Sequence, residues 1–136
     1  MATLTTRATI KAYLQANWSS APIVYENEPI PRPEPPSPWL MIEMVGNIFE
    51  QSSIGSGHPT TNRWIEEGYL LAHVHVPLGT GDTTASGLAE GLANTLRGVV
   101  LPGDLRLQNM SIGAGDPGAD IGPWWRLTVR ADFRRG

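Results

Sequence analysis

The sequence has no cysteine. That excludes disulfides, thiolate metal ligands and a cysteine nucleophile, and with them a disulfide-stapled secreted scaffold. Lysine is nearly missing, with Lys11 alone. Charged residues make up only 17% of the chain and the formal net charge is −3, which speaks against nucleic-acid binding by the whole surface. No apolar run is long enough to span a bilayer as a helix. The first stretch, "MATLTTRATIKAYLQ", lacks the apolar centre of a signal peptide, so a soluble intracellular protein is the expectation.

What is present points to one small, turn-rich domain. A chain of 136 residues fits a single domain over 1–136. Glycine (15) and proline (12) are plentiful, so much of the chain should be turn and loop. Five tryptophans are many for this length, and tryptophan is favoured both in cores and at subunit interfaces. Four of the ten basic residues, Arg126, Arg130, Arg134 and Arg135, fall in the last eleven positions.

Hydrophobic periodicity then orders the elements. Residues 3 to 18 read as an amphipathic helix with Ile10, Leu14 and Trp18 on one stripe and Thr5 or Thr6 as its cap. Residues 22 to 27 suggest a short strand. A proline-dense stretch follows at 28–38, read as a rigid extended connection. "WLMIEMVG" (39–46) is a strand with Leu40, Ile42 and Met44 on its apolar face. The next segment, 47–62, reads as a long loop of the kind that is usually functional or mobile. Residues 63–77 form a long strand, 78–82 a turn, and 83–98 a second helix striped by Ala85, Leu88, Ala89, Leu92 and Leu96. Thr83 or Thr84 would cap that helix, and Gly98 would stop it. Gly87 and Gly91 share one helix face, which predicts a close neighbouring backbone there. A weaker strand at 104–113, a turn-rich loop at 114–123 and a final strand at 124–135 complete the chain. The reading is an α+β fold: a four- to five-stranded, mainly antiparallel sheet with two helices packed on one face. The opposite face would carry Trp39 or Glu43, His73, His75, Arg126 and Arg130, a mixture that hints at contact with another subunit.

Three constellations invite chemistry. In "LAHVHVP", His73 and His75 are alternate residues on one strand face, about 7 Å apart, so both could reach one metal ion. A His-x-His site of the cupin kind needs a carboxylate four to six residues on, and here Gly79 stands at +4, Gly81 at +6, and no carboxylate appears before Asp82. Two sheet histidines are the plain reading, and a metal-dependent enzyme is kept as the alternative. His58 lies in the polar loop beside "GSG", without the strand-turn-helix setting of a nucleophile elbow. The glycine-rich turn "PLGTGDTTASG" lacks the lysine and spacing of a phosphate loop, and reads as a turn with a helix cap. The arginines at every fourth position of the last strand, Arg126, Arg130 and Arg134, suit either a charged strand that resists edge-to-edge aggregation or a surface meeting a subunit or DNA backbone.

The stretch "RWIEEGYLLAHVHVPLGTGDTTASGLAEGLANTLRG" (63–98) resembles the small tail terminator, or tail-completion, proteins of long-tailed bacteriophages, whose type is that of phage lambda. The matching positions are Arg63, Gly68, Val76, Pro77, Gly79, Thr80, Gly81, Leu88, Ala89 and Leu92; "APIVYENEPIP", "PWLMIEM" and "SSIGSG" are similar to the family as well. The same protein class occurs in phage-like gene transfer particles. The resemblance implies a structural virion protein, a homo-hexameric ring that caps the head-proximal end of the tail tube, stops its polymerisation and offers a surface to the head-neck connector. It implies neither catalysis nor a cofactor, DNA passing through the ring without sequence-specific binding, no membrane contact, and residence in the bacterial cytoplasm during assembly and then in the particle. On that footing Trp64, Trp124, Arg126 and Arg130 are the expected ring contacts, and Ile48, Phe49, Ile54 and His58 the expected contacts to the tail tube. Another neck or tail-tube component, or a sheet-based ligand-binding module, are the other readings.

Overall fold

The computed structural model describes residues 3–29, 37–51, 64–116 and 124–136. Its elements run α1 (Leu4–Asn17), β1 (Ile23–Tyr25), β2 (Trp39–Gln51), β3 (Trp64–Pro77), α2 (Thr83–Leu96), β4 (Val100–Leu101), β5 (Leu105–Asp116) and β6 (Trp124–Arg135). The fold is α+β, but the sheet has six strands, in the order β1-β2-β3-β6-β5-β4, and it is mixed because β1 runs parallel to β2. The short strand expected at 22 to 27 is the edge strand β1, and the other edge strand, β4, escaped the count because two residues are too few to show a period.

The core follows from alternation. Leu40, Val74 and Leu127 stand in one cross-strand row, Ile42, Ala72 and Val129 in the next, and Met44, Leu70 and Ala131 in a third. Ile10 and Leu14 of α1 and Ala85, Ala89, Leu92 and Leu96 of α2 close over this face, all fully buried. The sheet curls around α1. Lys11 lies 4.6 Å over the Tyr25 ring at the β1 edge, while Ala8 and Ala12 face Leu101 and Pro102 at the β4 edge.

Helix boundaries are set by different residues from those expected. Thr3, not Thr5 or Thr6, caps α1, its hydroxyl accepting from the Thr6 N–H at 3.3 Å. Asp82, not Thr83 or Thr84, precedes α2, and its side chain makes no capping bond. Past α2, Gly98 takes a φ of 71°, the left-handed turn that glycine allows without steric cost. The paired helix glycines do not admit a backbone: a Cβ on Gly91 would meet the Trp18 ring at 3.7 Å, and one on Gly87 would face open space.

The expected loop at 47–62 also changes. β2 continues through Gln51, with a register shift between Gly46 and Ile48. That bulge places one extra residue opposite β3, which breaks the period of two and hides the strand from a pattern reading. Ile48 and Phe49 are therefore ladder residues opposite Glu67 and Glu66. Ile54 and His58 lie outside the described residues. β5 likewise runs past the expected boundary at 113, through two further register shifts, into what read as a turn-rich loop.

Candidate functional site

The sheet face away from the helices carries most of the residues singled out by sequence. Register fixes its rows: Trp39, His75 and Arg126; Met41, His73 and Thr128; Glu43, Leu71 and Arg130; Val45, Tyr69 and Asp132. At one end the face is closed by aromatics. Trp39 stacks on the His75 imidazole with centroids 4.0 Å apart and planes 10° from parallel. Trp124 meets Trp39 edge-on at 5.9 Å. Trp39, His75 and Trp124 are all buried. Trp124 is thus covered within its own chain.

The histidines do not converge on a shared point. His73 sits between strands, Nε2 3.3 Å from Glu43 Oε1 and Nδ1 2.8 Å from Thr128 Oγ1. Its ring centroid is 6.5 Å from that of His75, whose flat face is taken by Trp39. Among the described residues, no group of three or more His, Asp or Glu side chains is placed to hold a metal ion. The pair ties β2, β3 and β6 together.

The arginine ladder is neutralised locally. Arg130 lies 3.0 Å from Asp132 and 4.1 Å over the Tyr69 ring. Arg134 reaches Glu67 at 3.6 Å. A polyanion backbone would have to compete with these acids, so the ladder offers less counterion release than three bare arginines would.

Trp64 belongs elsewhere. It opens β3 on the helix side, whereas Trp124 stands opposite Pro77 at the other end of the strand, roughly 40 Å away along thirteen residues of extended chain. Trp64 stacks on Phe49 with centroids 5.6 Å apart, and the two are 40% and 54% exposed, an aromatic patch past the N-terminus of α1. Sequence reading had put these two in separate sets. The bulge at Asn47 is what turns Phe49 toward Trp64.

One residue went unnoticed. Glu66, only 2% exposed, clamps the start of α1 onto β3. Its Oε1 accepts from the Thr3 N–H at 2.8 Å, and its Oε2 accepts from the Thr3 and Thr6 hydroxyls at 3.0 and 2.9 Å. A carboxylate at a helix start satisfies orphan donors and complements the helix dipole. The usual signal is an acid three residues into the helix; here it comes from a strand sixty residues on, which no local motif records.

The β1 edge has its own polar lock. Glu26 accepts from the Met44 N–H at 2.6 Å and from Arg7 at 3.0 Å. Burial pushes its carboxyl up, but the Met44 hydrogen bond, the Arg7 hydrogen bond and the charges of Arg7 and Lys11 outweigh that and hold it below the usual carboxylate range. Beside it, burial and then the Glu28 charge push the Tyr25 phenol up.

The fold and these surfaces define a two-helix α+β domain on a curled mixed sheet, with an uncovered second face and an exposed aromatic patch at one end. Compared with known proteins, the chain matches no family model and no curated protein. Solved structures do match. One superposes with a TM-score of 0.68 at 15% identity, covering 96% of this chain and 95% of the other. At that identity the likeness concerns the fold.

Proposed function

We propose that this chain is a structural protein of a phage-like tail, forming a homo-hexameric ring on the head-proximal end of the tail tube, where it stops polymerisation and presents a docking surface to the head-neck connector. The observation that carries the reading is the unit from β3 through α2, where the resemblance lies. Five of its matched positions have a distinct structural task. Gly68 lets Phe133 and the Val45 carbonyl close over β3. Gly79 and Gly81 take φ values of 82° and 81° in the turn. Ala89 and Leu92 seal the core.

Phe49 and Trp64 form the proposed tube contact, because two stacked and exposed aromatics supply apolar area with little rotamer entropy to lose. Arg126 and Arg130 stay in the proposed ring contact on the uncovered face. Trp124 leaves that set, since its own chain buries it, and Trp64 moves from the ring set to the tube contact. Another neck or tube component is the second reading, favoured by the same resemblance; a tube subunit would grow into long tubes, and a terminator would stay small or form rings.

The test is electron microscopy of the purified protein mixed with tail tubes that lack it. Decoration at one end of each tube is expected, and a Phe49→Ser/Trp64→Ser protein should lose it while keeping its fold. Decoration along the tube wall, or self-assembly into long tubes, would refute the terminator reading.

A further inference from the structure

We propose that Arg7 and Glu26 form a side-chain guard on the outer edge of β2, which closes the sheet to edge-to-edge pairing with a second copy of this chain. β2 has thirteen residues, and β1 pairs with three of them, Leu40 to Ile42. An uncovered strand edge presents a row of unpaired N–H and C=O groups, a template for another chain. On β2 the outward groups belong to alternate residues. The Leu40 N–H donates to the Pro22 carbonyl at 2.8 Å. Ile42 stands opposite Tyr25, the last residue of β1. Met44 is next, and β1 has ended.

At Met44 two side chains take the part of a strand. The chain leaves the sheet after Tyr25 in a tight turn, where the Glu28 N–H donates to the Tyr25 carbonyl at 3.3 Å and Asn27 takes a φ of 60°. The Met44 N–H still reaches Glu26, but it bonds the carboxylate, at 2.6 Å. The separation of 18 residues is the same as that between Pro22 and Leu40. The carboxylate oxygen therefore stands in for the carbonyl that a longer β1 would supply. The Met44 carbonyl accepts from Arg7 Nη2 at 3.1 Å, so the guanidinium stands in for a strand N–H. Arg7 Nη1 lies 3.0 Å from Glu26 Oε1, which joins the two halves of the guard. Beyond Met44, the bulge between Gly46 and Ile48 bends the ladder and spoils it as a template. The other long outer strand, β5, is protected by two register shifts, between Leu107 and Met110 and between Ile112 and Gly115. Met44 is thus the outward-facing residue left between the end of β1 and the bulge, and the guard fills it. With the edges closed, association is directed to the uncovered sheet face. The guard acts on the free chain, so it stands or falls apart from the ring reading.

The test compares full-length variants that keep or remove the guard, by amide hydrogen exchange and by light scattering over a range of concentrations. In the wild type the Met44 amide should be protected. Glu26→Gln, whose amide oxygen can still accept from the Met44 N–H, should keep that protection and the wild-type mass. In dilute Arg7→Ala/Glu26→Ala the Met44 amide should exchange about tenfold faster, as for one lost hydrogen bond. On concentration this double variant should associate beyond the wild-type mass, and its Met44 amide should become protected again. A double variant that is folded by circular dichroism and keeps the wild-type mass at every concentration would overturn the guard. Equal association of Glu26→Gln would overturn it as well, because charge alone would then be the cause. A Met44 amide that exchanges in the wild type as fast as a loop amide would do the same. If the double variant does not fold, Glu26→Ala, which removes the acceptor alone, carries the same comparison. Loss of tube decoration by the wild type would bear on the ring reading and leave the guard untouched.

Discussion

Glu66 is the residue on which α1 depends. Removing it takes the acceptor from the buried Thr6 hydroxyl and from the half-buried Thr3 N–H and hydroxyl. Glu66→Ala should therefore cost about 3 kcal/mol in a denaturant melt, within the usual range for lost bonds to a buried charged group, whereas Thr3→Ala should cost only about 1 kcal/mol, as for an ordinary cap. A loss below about 0.5 kcal/mol for Glu66→Ala, a surface-substitution value, would contradict the clamp. The tryptophans separate by the same measurement. Trp124, 6% exposed and packed on Trp39, should cost about 3–5 kcal/mol on truncation to alanine. Trp64, 40% exposed, should cost far less in stability and show its effect in tube binding.

At the level of elements, the strands and helices that bury one clean stripe were legible from sequence. α2 and β6 came out nearly as drawn, because Ala89, Leu92 and Leu96, and Val129, Ala131 and Phe133, each repeat at a single period. The bulge at Asn47 concealed the end of β2, and two more concealed the end of β5. Of the site, the sequence showed that His73, His75, Arg126 and Arg130 share a face. It could not show that Trp39 and Trp124 are buried on that face, or that Phe49 and Trp64 meet, because those depend on register. The β1 edge yields a pH prediction. Glu26 has a folded-state pKa below its unfolded value, so its contribution to stability is present above the unfolded carboxylate range and is lost as pH falls through the folded one. With a side chain 40% exposed, that contribution should stay under about 1 kcal/mol. Thermal melts of the wild type and Glu26→Gln from neutral pH into the acid range should converge at the acid end; a constant gap would contradict the lock.

For the whole molecule, the curled six-stranded sheet with one uncovered face is the frame on which the proposed ring rests. The arginine ladder on β6 belongs at this scale. Arg126→Glu together with Arg130→Glu should shift light scattering from ring to smaller species while the far-ultraviolet circular dichroism stays unchanged. An intact ring would remove those two residues from the contact. The central claim is that the protein stops tube growth, and tail length tests it most directly. Particles assembled with and without this protein should be compared by electron microscopy. The account predicts tails of one defined length with it, and overlong, headless tubes of variable length without it. Tails of normal length in its absence would contradict the account.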